Sequence, residues 1–457
     1  MNRIAGRAKG ALLLAAILIA GLLIFLGEYL FQAGKWVVFP GSPHVYSGSN
    51  LDCGIITDRS GVLLLDATDV RVYSDDPALR TSTLHLLGDR YGYISAPALA
   101  GFSSQMVGFD LLNGVYSSDG TGGNAVLTIS AQAQIAALEA LDGRKGVVAV
   151  YNYKTGEILC AVSGPNYDPD DVPDIEADTT GAYEGVYVNR FTQASYTPGS
   201  IFKLATTAAA LSEIDDIETQ TFYCGGTMDI GADRVTCEGV HGTITLREAL
   251  KSSCNCAFAQ IALELGSETL TKCVQQFQLT QPVSFDGITT AEGHFDIADA
   301  ADVNVAWSGI GQYTDLVNPC RYLQFMGQIA GGGTAARPHL VRSVSSGAFS
   351  SYAASTEMTE RVMSSSVAAT MQELMHYNVV YGYGERNFPD LYVCAKSGTA
   401  EQGVGEEAHA TFAGFTMDED YPLAFVVFVE NGGSGSDTCV PILSKVLPAC
   451  MEALDKP

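Results

Sequence analysis

A serine and a lysine spaced three residues apart, Ser200 and Lys203, are the pair in this sequence best suited to covalent chemistry. Pro198-Gly199 predicts a turn just before them, and Ile201 to Leu211 predicts an apolar helix. On a helix, residues at i and i+3 have Cβ atoms about 5–6 Å apart, which places the hydroxyl beside the amine. Burial or a second cation would lower the lysine pKa, so that the amine accepts the serine proton. The spacing therefore predicts a nucleophile and its base at a helix N-terminus, whose free amides suit an oxyanion.

Two further short motifs follow in the chain. Ser253-Cys-Asn255 is the only Ser-x-Asn in the sequence, and Lys396-Ser-Gly-Thr399 lies in an apolar, strand-like run near the C-terminus. A second Lys-Thr-Gly, Lys154 to Gly156, precedes Ser200 and lies at the tip of a predicted hairpin, which is a poor position for serving a nucleophile.

The residue types in these motifs suggest individual roles. A small rotatable hydroxyl such as that of Ser253 can relay a proton to a leaving amine. The Asn255 amide can both donate to and accept from an extended peptide. Lys396 supplies positive charge, which would lower the pKa of Lys203 and attract a substrate carboxylate. Each residue also has a purely structural interpretation, as a helix cap or a strand-edge lysine, but all three motifs together favour catalysis.

The strand motif predicts how a substrate would bind. The Ser397 and Thr399 hydroxyls would contact the same carboxylate as Lys396, and Gly398 would allow the substrate backbone to approach closely. A peptide could then add to this strand as a further strand. The amides of Ser200 and Thr399 are the candidates for an oxyanion hole.

The length and the net charge of the chain limit the possible classes of function. The 457 residues suffice for two domains, and the net charge of −26, from 51 acidic and 25 basic residues, argues against nucleic acid or anionic lipid as the main partner. Arg3, Arg7 and Lys9 precede an apolar run from Ala11 to Leu26. A run of about 20 apolar residues spans a bilayer, with its basic flank in the cytoplasm.

The N-terminal run is interpreted as an uncleaved anchor rather than a signal peptide. No small-x-small cleavage site follows it, because the run ends among Tyr29, Phe31 and Trp36. We therefore expect residues 1–34 to form a cytoplasmic tip and a single membrane span. The rest of the chain would then lie outside the cytoplasm.

Eleven cysteines, an odd number, leave at least one thiol unpaired outside the cytoplasm. Cys224 and Cys237 flank a predicted hairpin, and the sequence leaves open whether they form a disulfide. These two cysteines and His241 could offer metal ligands, but no Cys-x-x-Cys supports such a site. The sequence therefore predicts neither a metal nor another cofactor.

The remaining pattern predicts the domain organisation. Residues 35–120 form a small, irregular and β-rich non-catalytic domain, and residues 121–457 carry all three motifs. Within the larger part, Leu246 to Leu265 predicts one helix with Ser253 and Asn255 in its first half. Three strands are predicted near the C-terminus, at 391–395, 410–415 and 423–430, followed by a helix at 440–454.

Taken in order, the three motifs resemble those of penicillin-binding proteins and class A β-lactamases. Further segments, including Asn152 to Leu159, Gly309-Ile-Gly-Gln312 and Arg337-Pro-His-Leu340, resemble class B, monofunctional penicillin-binding proteins over nearly the whole chain. The Thr57 to Gly61 stretch resembles the start of that family's N-terminal domain, which is short here.

The resemblance implies an α+β fold of the penicillin-binding protein/β-lactamase type, with an antiparallel sheet flanked by helices. It implies a serine D,D-transpeptidase that cross-links peptidoglycan stem peptides, is acylated by β-lactams, and uses Gln312 in substrate binding. It also implies a glycan polymerase of the SEDS class as partner in the cell membrane.

Three other functions use similar residues. A D,D-carboxypeptidase would transfer the acyl group to water, and the sequence leaves this alternative open. A β-lactamase needs a carboxylate that activates water, for which Glu292 is a weak candidate. A non-enzymatic β-lactam sensor or scaffold would be expected to lack a motif residue, and none is missing.

Overall fold

The computed structural model describes residues 2–37, 46–47, 50–51, 54–68, 70–107, 123–346, 349–403, 405 and 407–455. The α-helices are α1 Asn2–Val37, α2 Pro77–Ser82, α3 Leu84–Leu87, α4 Pro97–Gly101, α5 Ser103–Met106, α6 Ala131–Leu141, α7 Lys203–Glu213, α8 Leu246–Lys251, α9 Asn255–Gln276, α10 Asp302–Ser308, α11 Pro319–Ala330, α12 Ser365–Asn378 and α13 Gly435–Asp455. Shorter turns are the 3₁₀ helices Gly199–Phe202 and Glu385–Asn387 and the π-helix Val379–Tyr383.

The strands are β1 Tyr46–Ser47, β2 Asn50–Leu51, β3 Ile55–Thr57, β4 Leu63–Asp66, β5 Val72–Tyr73, β6 Gly123–Leu127, β7 Gly146–Asn152, β8 Ile158–Gly164, β9 Thr221–Cys224, β10 Thr227–Ile230, β11 Asp233–Thr236, β12 Gly242–Thr245, β13 Ser284–Phe285, β14 Ile288–Thr289, β15 Val341–Ser346, β16 Phe349–Ala353, β17 Val393–Ala400, β18 His409–Thr416 and β19 Leu423–Val429.

The central sheet has the strand order β17-β18-β19-β7-β8 and is antiparallel throughout. Alternate residues of each strand point to opposite sides of the sheet, and helices cover both faces. In β19, Phe425 and Val427 pack with α6 and α13, whereas Val426 and Phe428 belong to the core formed with α7, α9, α11 and α12. The predicted antiparallel sheet flanked by helices is therefore confirmed.

A second sheet has the order β16-β15-β6-β3-β4-β5, in which only the β3–β6 pairing is parallel among the described pairs. The β-rich N-terminal region thus shares a sheet with strands from the catalytic part of the chain. The boundary expected between residues 120 and 121 lies in the 108–122 range, outside the described residues. The domain division stays a prediction.

Helix α1 contains the apolar N-terminal run. Its segment Ile4–Gln32 has 29 residues, and the most apolar 18-residue stretch within it has a mean hydropathy of 2.7 and is not buried against the protein. An exposed apolar helix of this length suggests a membrane anchor, as the sequence predicts.

The single helix predicted over 246–265 is wrong. The structure has two helices, α8 and α9, separated at Ser252 to Cys254. Ser253 has a φ of 51°, which lies in the left-handed region and cannot continue a right-handed helix. Cys254 then acts as the N-cap of α9, its sulfur accepting from the Ala257 amide. The break places Ser253 at a partly buried corner instead of on a helix face.

Candidate active site

Ser200 lies in the 3₁₀ turn Gly199–Phe202, three residues before α7. The α-helix begins at Lys203, two residues later than the Ile201 start that the sequence predicts. Gly199 has a φ of 58°, and its amide donates to the Gly311 carbonyl at 2.9 Å. A Cβ at Gly199 would lie 2.7 Å from the Thr399 carbonyl oxygen. Only glycine therefore allows this turn to press against the end of β17, and the turn places Ser200 beside that strand.

Lys203 is the first residue of α7, and it is fully buried. Its Nζ lies 3.0 Å from Ser200 Oγ and 3.1 Å from Ser253 Oγ. It also lies 2.7 Å from the Ser253 carbonyl oxygen and 2.8 Å from Asn255 Oδ1. The lysine therefore connects the nucleophile of the first motif to both polar residues of the second.

These contacts are compatible with a neutral amine that accepts from the serine. The Asn255 amide nitrogen donates to the Thr236 carbonyl at 2.9 Å, which leaves Oδ1 to accept from Lys203. Asn255 Oδ1 and the Ser253 carbonyl can only accept, so they take the two N–H groups of a neutral amine. The remaining lone pair is then free to accept the Ser200 proton.

Electrostatics act in the same direction. Burial, followed by the positive charge of Lys396, lowers the pKa of Lys203 to about 7. Burial likewise lowers the pKa of Lys396 to about 7, with the negative charge of Glu238 opposing the shift. A lysine with a pKa near 7 is substantially unprotonated at neutral pH, as a general base must be.

Lys396 contributes the third motif from the edge strand β17. Its side chain is 1% exposed, and its Nζ contacts Ser253 Oγ at 3.2 Å and the Ser397 carbonyl oxygen at 2.8 Å. The three motifs, separated by long stretches of sequence, therefore meet at the Ser253 hydroxyl.

The outer edge of β17 has no neighbouring strand in the described sheet. The Ser397 amide donates to Tyr383 OH at 2.8 Å and therefore points away from the neighbouring strand β18. Because hydrogen-bonded and non-hydrogen-bonded pairs alternate in an antiparallel ladder, the Thr399 amide also points outward. The Ser200 amide belongs to the first turn of its helix, where amides lack partners within the helix. Both predicted oxyanion-hole amides are thus available.

Gly398 packs against neighbouring residues of the chain. A Cβ there would lie 2.2 Å from Thr411 Oγ1 and 3.0 Å from the Ile201 nitrogen. Thr411 Oγ1 in turn donates to the Pro198 carbonyl at 3.0 Å. The glycine thus allows β17 to lie against the turn that carries the nucleophile, which is a different reason from the close substrate approach predicted from sequence.

These residues line a groove of about 580 Å³. Its lining includes Ser200, Ser253, Asn255, Gln312, Ser397 and Thr399 from the predicted set, together with Thr236, Cys237, Glu238, Trp307, Ile310, Glu401, Ser434, Gly435 and Ser436. Of the acidic residues in the described part of the chain, Glu238 and Glu401 line the groove, whereas Glu292, the carboxylate considered from sequence, does not.

Tyr383 is the contributor that sequence reasoning missed. It is partly buried at the end of the π-helix after α12, and its hydroxyl contacts both the Ser397 amide and, at 3.0 Å, Ser397 Oγ. It supports the strand that carries the third motif. The surrounding Val379 to Tyr383 sequence carries no motif, so its only signal is an aromatic residue near a helix end.

The cysteines near the groove are free thiols, and the described residues contain no disulfide. Cys224 and Cys237, for which sequence left a bridge open, are therefore not bridged to each other. They lie beside His241, as the sequence allowed, and Cys254 joins them from the second motif.

Comparison with known proteins identifies one matching family model and several similar proteins. Residues 146–447 match the family model described as the penicillin binding protein transpeptidase domain. The chain is 32% identical over 360 residues to the peptidoglycan D,D-transpeptidase PbpA of Mycolicibacterium smegmatis, covering 73% of each chain.

Solved structures show the same similarity. The ceftriaxone acyl-enzyme complex of penicillin-binding protein A from M. tuberculosis superposes with a TM-score of 0.74 at 27% identity, covering 89% of this chain and 99% of that one. The D,D-transpeptidase domain of a peptidoglycan glycosyltransferase from Eggerthella lenta gives a TM-score of 0.74 at 25% identity with the same coverage.

Proposed function

Because the chain belongs to the penicillin-binding protein transpeptidase family, we propose that Ser200 is the nucleophile and Lys203 the base of its transpeptidase reaction. The protein is a serine D-Ala-D-Ala transpeptidase of peptidoglycan synthesis that β-lactams acylate. The observation that carries the assignment of residues is the 3.0 Å contact between Nζ of the fully buried Lys203 and Oγ of Ser200, which lines the groove. A nucleophile and a neutral base within hydrogen-bond reach are the requirement for acyl transfer.

Acylation begins when Ser200 Oγ attacks the carbonyl carbon of the penultimate D-alanine and its proton passes to Lys203. The negative charge on the carbonyl oxygen is stabilised by the amides of Ser200 and Thr399. The carbon–nitrogen bond then breaks. Lys203 returns a proton to the departing amine through Ser253, whose hydroxyl it contacts at 3.1 Å.

Deacylation runs the same path in reverse with a new amine. The amine of a neighbouring stem peptide attacks the ester carbonyl, and its proton passes through the Ser253 and Lys203 pair to Ser200 Oγ. The new amide bond is the cross-link, and the free hydroxyl of Ser200 is restored. With a β-lactam, the leaving nitrogen stays tethered in the product, so it continues to fill the site.

Substrate binding is assigned to the edge of β17. Lys396 and the hydroxyls of Ser397 and Thr399 are suited to the terminal carboxylate of the peptide. The outer edge of β17 suits an extended peptide added as a strand, and Asn255 and Gln312 line the same groove. The Asn255 side chain also holds the base, so its role is mainly to position Lys203.

The experiment that tests these roles is labelling of the purified chain with a fluorescent penicillin, comparing wild type, Ser200→Ala and Ser195→Ala. Ser195 is a nearby serine whose hydroxyl donates to the Glu292 carbonyl at 2.7 Å, so it serves as the matched control. We expect label on wild type and Ser195→Ala and none on Ser200→Ala. Label that persists on Ser200→Ala would refute the assignment.

The fate of the acyl group separates the alternatives. Addition of an acceptor amine to the enzyme and a D-Ala-D-Ala peptide should give an aminolysis product. Release of D-alanine with hydrolysis only would indicate a carboxypeptidase. Loss of the penicillin label within seconds would indicate a β-lactamase, and a lack of label on folded wild type would indicate a sensor or scaffold.

Helix α1 supports a single-pass orientation with the catalytic part outside the cytoplasm. Its basic residues Arg7 and Lys9 lie at the N-terminal end of the apolar segment, and such residues favour the cytoplasmic side. Alkaline phosphatase fused to the C-terminus should therefore be active, since that enzyme works only outside the cytoplasm. A fluorescent fusion of green fluorescent protein at that position, together with an inactive phosphatase fusion, would indicate the opposite orientation.

A membrane-embedded glycan polymerase of the SEDS class is the proposed partner. The support is the family resemblance together with an exposed apolar helix that offers a surface within the bilayer. A polymerase of this class should co-purify in mild detergent with the wild-type chain, and less so when α1 is replaced by an unrelated membrane-spanning helix. No recovery with wild type would remove this partner from the proposal.

A further inference from the structure

Four metal-binding side chains converge behind the second motif: Cys224, Cys237, His241 and Cys254. Their ligand atoms all lie within 4.8 Å of one another. Cys224 ends β9, Cys237 follows β11, His241 precedes β12, and Cys254 caps α9. The cluster thus gathers the ends of three strands and the start of one helix. The transpeptidase reaction uses none of these four side chains.

The distances match a tetrahedral metal site. With zinc–sulfur bonds of about 2.3 Å and zinc–nitrogen bonds of about 2.0–2.1 Å, a tetrahedron has sulfur–sulfur edges of about 3.8 Å and sulfur–nitrogen edges of about 3.6 Å. The Sγ atoms of Cys237 and Cys254 are 3.9 Å apart. His241 Nδ1 lies 3.4 Å from Cys224 Sγ and 3.6 Å from Cys237 Sγ. The ligand atoms of the other three pairs also lie within 4.8 Å of one another.

The surroundings suit thiolate ligands. The backbone N–H of Asn255 donates to Cys237 Sγ at 3.3 Å, and the backbone N–H of Ala257 donates to Cys254 Sγ at 3.4 Å. Amide hydrogen bonds to the sulfurs orient ligands and stabilise their negative charge. Cys224 and Cys254 are buried, whereas Cys237 and His241 are partly exposed and provide a route for a metal ion.

From this geometry we propose that Cys224, Cys237, His241 and Cys254 form a structural zinc site that fixes the Ser253–Asn255 segment in its catalytic position. Three thiolates and one imidazole favour zinc among common divalent ions, and four protein ligands close the coordination sphere, so the metal is structural. Each cysteine loses its proton to solvent on binding.

The consequence for the active site follows from Cys254. This ligand lies between Ser253 and Asn255, and both of these residues contact Lys203. A bound zinc ion would tie that segment to the hairpin of β10 and β11, whose end residue Thr236 orients the Asn255 amide. It would also keep Cys237 and Cys254 from oxidising to a disulfide in an oxidising compartment.

The sequence disfavoured a metal for a reason that the fold removes. Cys237 and His241 are four residues apart, but Cys224 lies 13 residues before this pair and Cys254 lies 13 residues after it, so the four residues form no compact ligand motif. The fourth ligand also belongs to a motif already interpreted as catalytic. Only the break between α8 and α9 turns Cys254 toward the hairpin.

The test measures zinc in the full-length chain, purified in detergent under reducing conditions without chelator. Close to one zinc per chain is expected by mass spectrometry of the metal, with most of it lost in Cys237→Ser and in His241→Ala. Cys439→Ala is the matched control, because this buried cysteine of α13 lies outside the cluster. It should retain its zinc.

Cobalt provides a readout independent of activity. Chelator-treated chain refilled with Co²⁺ should show thiolate-to-cobalt charge transfer and the strong visible bands of a tetrahedral ion, and His241→Ala should change the visible bands. Because His241 is partly exposed, this variant is expected to stay folded, as checked by circular dichroism. Wild type without zinc, a Cys237–Cys254 disulfide in freshly isolated membranes, or zinc content unchanged in both ligand variants would each overturn the proposal.

Discussion

Lys203 and Lys396 are buried lysines whose Nζ atoms both contact one hydroxyl oxygen, that of Ser253, at 3.1 and 3.2 Å. Burial removes the water that solvates ammonium ions, and the two positive charges also oppose each other. Burial lowers the pKa of both lysines to about 7, and the positive charge of Lys396 contributes to the shift of Lys203. The pair titrates as a unit, so near neutral pH one amine can be neutral while the other keeps its charge.

The first prediction concerns the pH dependence of acylation by a β-lactam. Lys203 must be neutral to accept the Ser200 proton, and its pKa is lowered to about 7, so the rate should rise with pH up to about 7. Below that value the slope should approach about tenfold per pH unit. Stopped-flow fluorescence with a penicillin reporter measures the rate. A rising limb centred near the ordinary lysine value of 10.5 would contradict the assigned base.

The second prediction concerns the charge of Lys396. In Lys396→Met the positive charge beside Lys203 is absent, so the pKa of Lys203 should rise and the rising limb should move to higher pH. Binding of the substrate carboxylate should weaken at the same time. The exposed Lys154→Met, in the other Lys-Thr-Gly segment, is the control and should leave the limb in place. An unmoved limb in Lys396→Met would indicate that the two lysines do not interact.

The third prediction separates the charge of Lys203 from its basicity. Arginine keeps a positive charge but cannot accept a proton at these pH values. Lys203→Arg should therefore lower the acylation rate by about 10²–10⁴-fold, the usual contribution of a general base. Rapid-quench mass spectrometry of the acyl-enzyme measures it. A loss of less than about tenfold would indicate that another group takes the Ser200 proton.

The motifs could be predicted from sequence because each is local. Ser200 and Lys203 are separated by less than one helical turn, and Lys396 to Thr399 follow one strand. Their convergence on Ser253 was expected only through the resemblance to known enzymes. No spacing in the chain predicts which residues will meet across the groove.

The break after α8 could not be predicted from periodicity. Apolar residues continue in helical spacing through Cys256 and Phe258, so the pattern indicates one helix. A right-handed helix cannot continue through Ser253, because this residue adopts a left-handed φ. That conformation is energetically unfavourable for serine unless tertiary contacts stabilise it. Here its carbonyl and hydroxyl both bind Lys203.

The fourth prediction concerns Tyr383. Its hydroxyl supports the Ser397 amide and hydroxyl, so Tyr383→Phe leaves an amide of the edge strand without its partner. We expect a loss of about 1 kcal/mol in the free energy of unfolding and weaker initial binding of β-lactams, with little change in the acylation step. The exposed Tyr392→Phe is the control. A fall in the acylation rate constant alone would give Tyr383 a chemical role instead.

The fifth prediction concerns stability. The unfolded chain binds a proton at each lysine up to about pH 10.5, whereas the folded chain releases it near pH 7. Between these values the unfolded state binds more protons, so the free energy of unfolding should rise with pH. Below about pH 7 both states are protonated, and this contribution becomes constant.

Comparison with Lys396→Met isolates that contribution. Buried cysteines have raised pKa values and destabilise the folded state as pH rises above 9, but they do so equally in both proteins. Urea unfolding of the full chain in detergent should therefore show wild type gaining on the order of 2 kcal/mol relative to the variant between pH 7 and 8.5. Parallel curves would mean that Lys396 keeps an ordinary pKa, and the low value of Lys203 would then have to come from burial alone.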